Sequence, residues 1–169
     1  LIRATSPEAA IYRQERSGKN GTMFFCYKFR TMYRDADARL TDILATNGQA
    51  REEWETFRKL TDDPRITPLG RFLRSTSLDE LPQIINVLRS EMSLVGPRPE
   101  QIEVVTRYTD DQRRRLAVKP GMTGPMQVNG RGDLQFEERL ALELAYIQKY
   151  SLRRDLSILL WTIPAVVRG

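Results

Sequence analysis

The sequence of 169 residues contains no histidine, and this absence limits the chemistry available to the chain. Histidine is the usual general base near neutral pH and the commonest metal ligand in proteins. The only cysteine, Cys26, lies in an apolar run. An internal disulfide and a thiolate zinc site are therefore excluded, and a small buried side chain is predicted. Any chemistry must use carboxylates, hydroxyls, lysine or arginine.

Long hydrophobic runs are also missing from the sequence. The longest one, at 158–167, is shorter than the roughly 20 apolar residues that a membrane-spanning helix needs. The surrounding segment 152–168 combines arginines with apolar bulk and Trp161, which is typical of an amphipathic helix at the level of lipid headgroups. Packing of the same helix on the protein core is the alternative.

Positive charge exceeds negative charge along the chain. There are 27 lysines and arginines against 22 acidic residues, which gives a formal net charge of +5. This excess favours anionic partners, namely nucleic acid, a nucleotide or an anionic membrane surface. A hydrophobic fraction of 40% is ordinary for a soluble or peripheral globular protein. The length predicts a single domain over residues 1–169.

Local patterns in the first half predict strands followed by helices. Asn20-Gly21 between two strand-like runs at 12–16 and 23–29 predicts a β-hairpin. Helical periodicity follows at 35–60, where Asn47-Gly48 predicts a turn between two helices.

Local patterns in the second half predict more helix than strand. Short strands are predicted at 92–95 and 126–128, and helices at 100–116 and 136–150. The arginines at 113–115 are predicted to form a solvated or membrane-surface face. We therefore expect an α-rich α/β fold, in which a small sheet or β-hairpin core is wrapped by helices.

The chain is organised around the segment 77–83, which carries two adjacent acids, Asp79 and Glu80. Ser77 and Glu80 match a capping box, in which a hydroxyl and a carboxylate satisfy free N–H groups at a helix start. Pro82 is tolerated only in a first turn, so the helix should begin at or just before Asp79. An acid there lies at the positive end of the helix dipole, stays ionised and could act as a nucleophile. A cap and a catalytic group are both compatible with the pattern.

Apolar residues follow these acids at helical spacing and predict one buried helix face. They are Leu81, Ile84, Ile85 and Leu88.

Cations occur on several turns and loop edges. Lys28 and Arg30 are two residues apart near the end of the second strand, so they are expected on the same face. Cations on an edge strand also serve simply to prevent aggregation. Arg98 lies between two prolines that stiffen its loop, and Lys119 and Arg131 lie in glycine-containing loops. If these cations converge with the two acids, the site suits phosphoryl transfer with a divalent metal.

Five stretches resemble one family closely and occur in that family's order. They are YKFRTM at 27–32, DPRIT at 63–67, SLDELPQ at 77–83, MSLVGPRP at 92–99 and KPGMTG at 119–124. On these stretches the chain resembles the bacterial sugar transferases, which are monotopic phosphoglycosyl transferases.

The resemblance implies a reaction, a cofactor and a location. A sugar-1-phosphate would pass from a UDP-sugar to undecaprenyl phosphate or another polyprenol phosphate, releasing UMP, with Mg²⁺ as cofactor and surface polysaccharide as the eventual product. The family acts at the cytoplasmic face of the bacterial inner membrane, bound to one leaflet, and does not use nucleic acid. A re-entrant membrane helix is expected before Leu1, and a homodimer is compatible with the sequence.

The resemblance also implies roles for individual residues. Asp79 would be the nucleophile that forms a covalent aspartyl phosphosugar, and Glu80 would assist catalysis as the Mg²⁺ ligand. Lys28, Arg98 and Arg131 fall in the family's basic motifs and would bind the substrate phosphates. The other two loop cations, Arg30 and Lys119, are expected to bind phosphate if they converge on the same site.

Two other function classes explain part of the sequence. A basic nucleic-acid-binding module accounts for the net charge but not for the pair of acids. A non-catalytic scaffold on an anionic membrane surface accounts for the terminal amphipathic segment but leaves the stiffened Arg98 loop without a purpose.

Overall fold

The structure is a computed structural model that describes residues 2, 9–57, 59–129 and 134–167. The chain groups into two compact units. Unit 1 comprises Leu1–Tyr12 and Phe29–Asp79, and unit 2 comprises Arg13–Lys28 and Glu80–Gly169. The single domain expected from the length stays a prediction.

The fold is rich in helix and contains two small sheets, which confirms the predicted α-rich α/β class. The strands are β1 Ile11–Ser17, β2 Met23–Phe29, β3 Ser93–Val95 and β4 Gly121–Thr123. The α-helices are α1 Ala36–Thr46, α2 Gly48–Phe57, α3 Pro68–Ser75, α4 Ile84–Leu88, α5 Ile102–Val105, α6 Asp110–Arg113, α7 Pro125–Asn129, α8 Phe136–Gln148 and α9 Leu152–Val167. Short 3₁₀ helices occupy Lys19–Gly21, Leu78–Gln83 and Arg114–Ala117. Within the described ranges, no helix is both long enough and apolar enough to cross a membrane.

The β-hairpin prediction is confirmed by the pairing of β1 with β2. Asn20 and Gly21 take φ values of +57° and +78°, the left-handed conformation that the turn requires. On β2, the buried residues Phe24 and Cys26 pack with Met92. The prediction of a small buried role for Cys26 is therefore confirmed, and burial raises the pKa of its thiol.

In unit 1, the segment after β2 is held by backbone contacts to the loop before α3. Met32 and Ile66 form an antiparallel bridge, and the Thr67 N–H donates to the Thr31 carbonyl over 3.0 Å. The side chain of Thr67 caps α3 by accepting from the Gly70 N–H at 2.9 Å. A Cβ at Gly70 would lie 2.0 Å from the Thr31 carbonyl oxygen, so only glycine permits this approach.

In unit 2, strands β3 and β4 pair in parallel, with Ser93 opposite Gly121 and Val95 opposite Thr123. The backbones approach so closely that a Cβ at Gly121 would lie 2.1 Å from the Gly96 nitrogen. The predicted strand at 126–128 is wrong, since those residues belong to α7. Pro125 opens α7 at a position where its missing N–H costs nothing, and the strand lies just before it.

The expected buried face of the central helix is also wrong. Leu81, Ile84 and Leu88 are exposed, Leu88 by 80%, and Ile85 is half-buried, whereas the polar residues Gln83 and Asn86 are buried. Asn86 explains the inversion because its side chain binds the β2 backbone. It accepts from the Tyr27 N–H at 3.1 Å and donates to the Phe25 carbonyl at 2.7 Å, so it takes the place of a neighbouring strand.

The segment predicted as one helix at 100–116 consists of α5, α6 and a 3₁₀ turn. Thr109 and Gln112 form a capping box at the start of α6, which separates it from α5. Arg113 and Arg114 are exposed as expected, but Arg115 is buried. The prediction of a solvated face is therefore wrong for Arg115.

One side of the last helix, α9, packs on the core, and its predicted place at the level of lipid headgroups stays a prediction. Ile158 is buried with Val95 and Tyr146, and the Tyr146 hydroxyl donates to Asp155 over 2.7 Å. Leu159 is half-buried against the same cluster, and five other large apolar side chains of α9 are exposed. They are Leu152, Leu156, Leu160, Trp161 and Ile163.

Candidate active site

Three of the predicted site residues come together in unit 2 around the Glu80 carboxylate. The Lys28 ammonium lies 2.6 Å from Glu80 Oε1, and Arg98 Nη2 lies 3.4 Å from the same oxygen. These residues come from β2, the Leu78–Gln83 turn and the loop after β3, so long-range folding assembles them. Two cations on one carboxylate oxygen leave a local excess of positive charge, which suits an anionic ligand.

The charge state of Glu80 follows from its surroundings. Burial acts to raise its pKa, but the charges of Arg98 and Lys28 and their hydrogen bonds outweigh it and hold the pKa below the ordinary glutamate value. Glu80 is therefore a carboxylate at neutral pH.

This lowered pKa predicts a pH-dependent contribution of Glu80 to stability. A group whose pKa is lower when folded stabilises the fold above its unfolded pKa, and this contribution is lost as the pH falls through the folded pKa. We expect Glu80→Gln to reduce the free energy of unfolding most at neutral pH and progressively less as the pH falls below the ordinary glutamate pKa. Urea denaturation of the wild type and the variant at several pH values would measure this difference. Glu55→Gln is the matched control, because Glu55 is exposed. A Glu80→Gln deficit that stays constant with pH would contradict the assignment.

Local structure explains how Lys28 and Arg98 are positioned. Lys28 follows Tyr27, whose N–H is fixed by Asn86. Arg98 lies between Pro97 and Pro99, and the Pro97 carbonyl accepts from the Gly121 N–H over 2.8 Å. Asn86 was missed by sequence reasoning because an asparagine in a helix carries no signal of a strand partner elsewhere in the chain.

Asp79 is buried and is the last residue of unit 1. The turn that contains it begins at Leu78, which confirms the predicted start, but it is a 3₁₀ helix with Pro82 inside. Ser77 takes a φ of +55°, whereas an N-cap residue has an extended backbone. This conformation does not fit the capping-box interpretation of Ser77.

The other predicted phosphate ligands do not share the Glu80 contact that Lys28 and Arg98 make. Strand β2 ends one residue before Arg30, which lies in unit 1, where its Nε donates to the Ala9 carbonyl at 3.0 Å. The Arg30 guanidinium also lies over the Tyr12 ring. Lys119 is exposed in the loop before β4. Arg131 falls outside the described residues, so its predicted role stays a prediction.

The donors available for a metal are carboxylates. Among the residues that the structure describes, no group of three or more Cys, Asp or Glu side chains could enclose a metal ion. Mg²⁺ commonly binds through only one or two protein carboxylates and takes its other ligands from water and substrate phosphates. The charged carboxylate of Glu80 therefore fits a hard divalent cation of this kind, and it does not fit a closed protein cage.

Comparison with known proteins identifies the family of this chain. The model of the family described as bacterial sugar transferase matches residues 1–169. The chain belongs to the bacterial sugar transferase family.

Several relatives of this bacterial sugar transferase are similar over almost the whole chain. The undecaprenyl-phosphate galactose phosphotransferase of Salmonella typhimurium is 48% identical over 94% of the chain and 33% of its own length. The exopolysaccharide production protein ExoY of Sinorhizobium fredii is 44% identical over 98% of the chain and 74% of its own length. The UDP-galactose-lipid carrier transferase of Erwinia amylovora is 47% identical over 95% of the chain and 34% of its own length. The chain thus spans about a third of the length of the Salmonella typhimurium and Erwinia amylovora relatives.

A further cation of this sugar transferase, Arg74, was missed by sequence reasoning. In unit 1 its Nε donates to the Thr31 hydroxyl over 2.9 Å. Burial lowers the pKa of Arg74, while the negative charges of Asp79 and Asp63 act to raise it. Asp79 is therefore close enough to Arg74 for their charges to interact. Arginine stays protonated near neutral pH. Its position five residues before Asp79 in the sequence was the available signal.

Proposed function

We propose that this chain transfers a sugar-1-phosphate from a UDP-sugar to a polyprenol phosphate such as undecaprenyl phosphate, releasing UMP. The observation that carries the proposal is the contact of Lys28 and Arg98 with Glu80, which Asp79 directly precedes in the chain. The names of the Salmonella typhimurium and Erwinia amylovora relatives, which mention undecaprenyl phosphate and UDP-galactose, support this substrate class.

The reaction would take two steps through Asp79. A carboxylate oxygen of Asp79 attacks the phosphorus that bears the sugar, the bond from this phosphorus to the bridging oxygen breaks, and UMP leaves with that oxygen. An oxygen of the polyprenol phosphate then attacks the same phosphorus and returns Asp79 as a carboxylate. Both attacking oxygens, of the Asp79 carboxylate and of the polyprenol phosphate, are already anionic. No proton has to be removed from either, so histidine is not needed as a base.

The basic residues would hold the diphosphate during these steps. Lys28 and Arg98 would exchange their contact with Glu80 for contacts with phosphate oxygens, because a diphosphate carries more negative charge than one carboxylate. Fixed positive charge at those oxygens stabilises the charge that develops during transfer. We propose the same phosphate-binding role for Arg30, Lys119 and Arg131.

Glu80 would hold Mg²⁺ once Lys28 and Arg98 have moved to the substrate. When bound, the ion supplies positive charge at the phosphate oxygens. Glu80 suits this role because its lowered pKa keeps it ionised and because its carboxylate is a hard oxygen donor.

The polyprenol substrate requires contact with a membrane, and we propose that α9 provides part of it. The exposed apolar side chains of α9, including Leu156, Leu160 and Trp161, suit insertion between lipid headgroups. The chain would then act on one leaflet, at the cytoplasmic face of the bacterial inner membrane, where UDP-sugars are available.

The test is a substrate panel with the purified chain. The chain is incubated with Mg²⁺, detergent-solubilised undecaprenyl phosphate and a series of UDP-sugars, and UMP and glycolipid are measured. UMP formed in equal amount to a sugar-diphospholipid, and only with Mg²⁺, would support the proposal and identify the sugar. If no donor yields UMP while the chain retains heparin or DNA at about 0.5 M salt, a basic binding module becomes the better account.

A further inference from the structure

A pair of oppositely charged side chains is buried beside the Arg98 loop in unit 2. Arg115 Nη2 lies 2.6 Å from Glu143 Oε2, and only 2% and 1% of these side chains are exposed. A second acid, Glu100, places Oε2 3.2 Å from Arg115 Nη1, and the Tyr108 hydroxyl contacts the same nitrogen. Arg115 is thus engaged by both nitrogens of its guanidinium fork, a geometry that lysine cannot reproduce.

The two members of this pair bind the main chain of one residue. The Arg98 N–H donates to Glu143 Oε1 over 3.0 Å, and Arg115 Nη2 donates to the Arg98 carbonyl over 3.1 Å. Both backbone polar groups of Arg98 are therefore fixed by charged side chains. The prolines on either side restrict the backbone further, so the direction in which the Arg98 side chain leaves the loop is determined.

Stability alone is a weak explanation for this arrangement. Removing two charges from water is costly, and apolar residues of similar size often stabilise a fold as well as a buried ion pair does. Burial raises the pKa of Glu143 even though Arg115 is adjacent, which reflects that cost. Apolar residues could not form the hydrogen bonds that Arg115 and Glu143 make to the Arg98 backbone. These hydrogen bonds are therefore a better explanation for the buried pair.

We propose that Arg115 and Glu143 are positioning residues that hold the Arg98 backbone and so direct its guanidinium toward Glu80 and the substrate phosphate. This proposal rests on the proposed function for its kinetic part only. The orientation of Arg98 is a property of the free protein.

The principal variant is Arg115→Met with Glu143→Leu, which replaces the pair with apolar side chains of similar volume. The fold should survive this exchange better than it survives the loss of one partner. Arg139→Met is the matched control, because Arg139 Nη2 contacts Glu100 at 3.0 Å in the same network. If the double variant fails to fold, Arg115→Lys takes its place in the experiments. This substitution keeps the positive charge and removes the two-nitrogen geometry of the guanidinium.

The kinetic readout is a double-mutant cycle with Arg98→Met. We expect the double variant to lose about 100-fold in kcat/KM with a UDP-sugar donor, because a small misplacement of a binding group has an effect of this size. In the Arg98→Met background the same exchange should cost almost nothing further. Arg139→Met should stay close to the wild type.

The second readout needs no turnover. Nitrogen-15 relaxation at Arg98 Nε should show a restrained side chain in the wild type and in Arg139→Met, and a mobile one in the double variant. Losses that add to that of Arg98→Met, or an Arg98 side chain whose mobility does not change, would overturn the positioning role. If the wild type forms no UMP, the proposed function fails, and the relaxation experiment still decides the role of Arg115 and Glu143.

Discussion

Replacing Asp79 with asparagine is expected to reduce UMP release by at least about 10⁴-fold, since an amide cannot form the acyl phosphate and loss of a covalent nucleophile has effects of this order. The buried position of Asp79 and the nearby positive charge of Arg74 suit a carboxylate that reacts inside a cationic site. The direct measurement uses a donor labelled in the sugar, without lipid acceptor. The wild type should retain about one label per chain, and Asp79→Asn should retain none.

The matched control for this experiment is Asp62→Asn. Asp62 lies in the same unit, but its side chain is 87% exposed and pairs with Arg71 on the surface. This variant should retain label and release UMP at the wild-type rate. Retention of label by folded Asp79→Asn would exclude Asp79 as the nucleophile, whereas turnover without retained label in the wild type would favour a single displacement.

Replacing Lys28 with methionine is expected to reduce kcat/KM by about 10²–10³-fold, the effect of removing one preorganised charged donor from a developing negative charge. Lys28 is positioned by β2 and by the Asn86 contact next to it, so its ammonium is held where Glu80 is found. Methionine is unbranched and only one atom shorter than lysine, and it removes the charge together with its N–H donors. Steady-state kinetics with varied UDP-sugar would measure the change.

Lys19→Met provides the comparison for Lys28→Met. Lys19 is an exposed lysine in the turn of the same hairpin, so its loss changes the net charge equally. If both variants lose activity to the same extent, the effect comes from overall charge and not from a contact at Lys28. Lys28→Arg should recover part of the activity, because it restores the charge with a different geometry.

The sequence predicts those parts of the fold and site that local chemistry decides. Asn20-Gly21 requires a left-handed turn, so the hairpin could be predicted from a dipeptide. Pro82 restricts the start of the central turn, and the adjacent acids and the stiffened Arg98 are enough to indicate an anion-binding candidate from local pattern. The contact of Arg98 with Glu80 shows that two of these groups lie together.

The remaining features depend on tertiary contacts that no local pattern contains. The apolar spacing of Leu81, Ile84 and Leu88 predicts a buried face, but Asn86 is buried there because it satisfies backbone groups of β2. Arg115 belongs to a run of three arginines and resembles its solvated neighbours. It is buried because Glu100 and Glu143, from elsewhere in the chain, compensate its charge.

Parallel pairing of β3 with β4 joins segments that are more than two dozen residues apart in the chain. Such contacts form slowly during folding, because the entropy of the intervening residues is lost before the strand pairing can contribute favourable free energy. Arg98 belongs to the intervening segment, so a partly folded chain without this pairing also lacks the orientation of Arg98. During synthesis, the anion-binding cluster should therefore mature only after Glu143, which binds the Arg98 N–H, has left the ribosome. A shorter nascent chain would carry the two acids and an Arg98 whose backbone is not yet fixed.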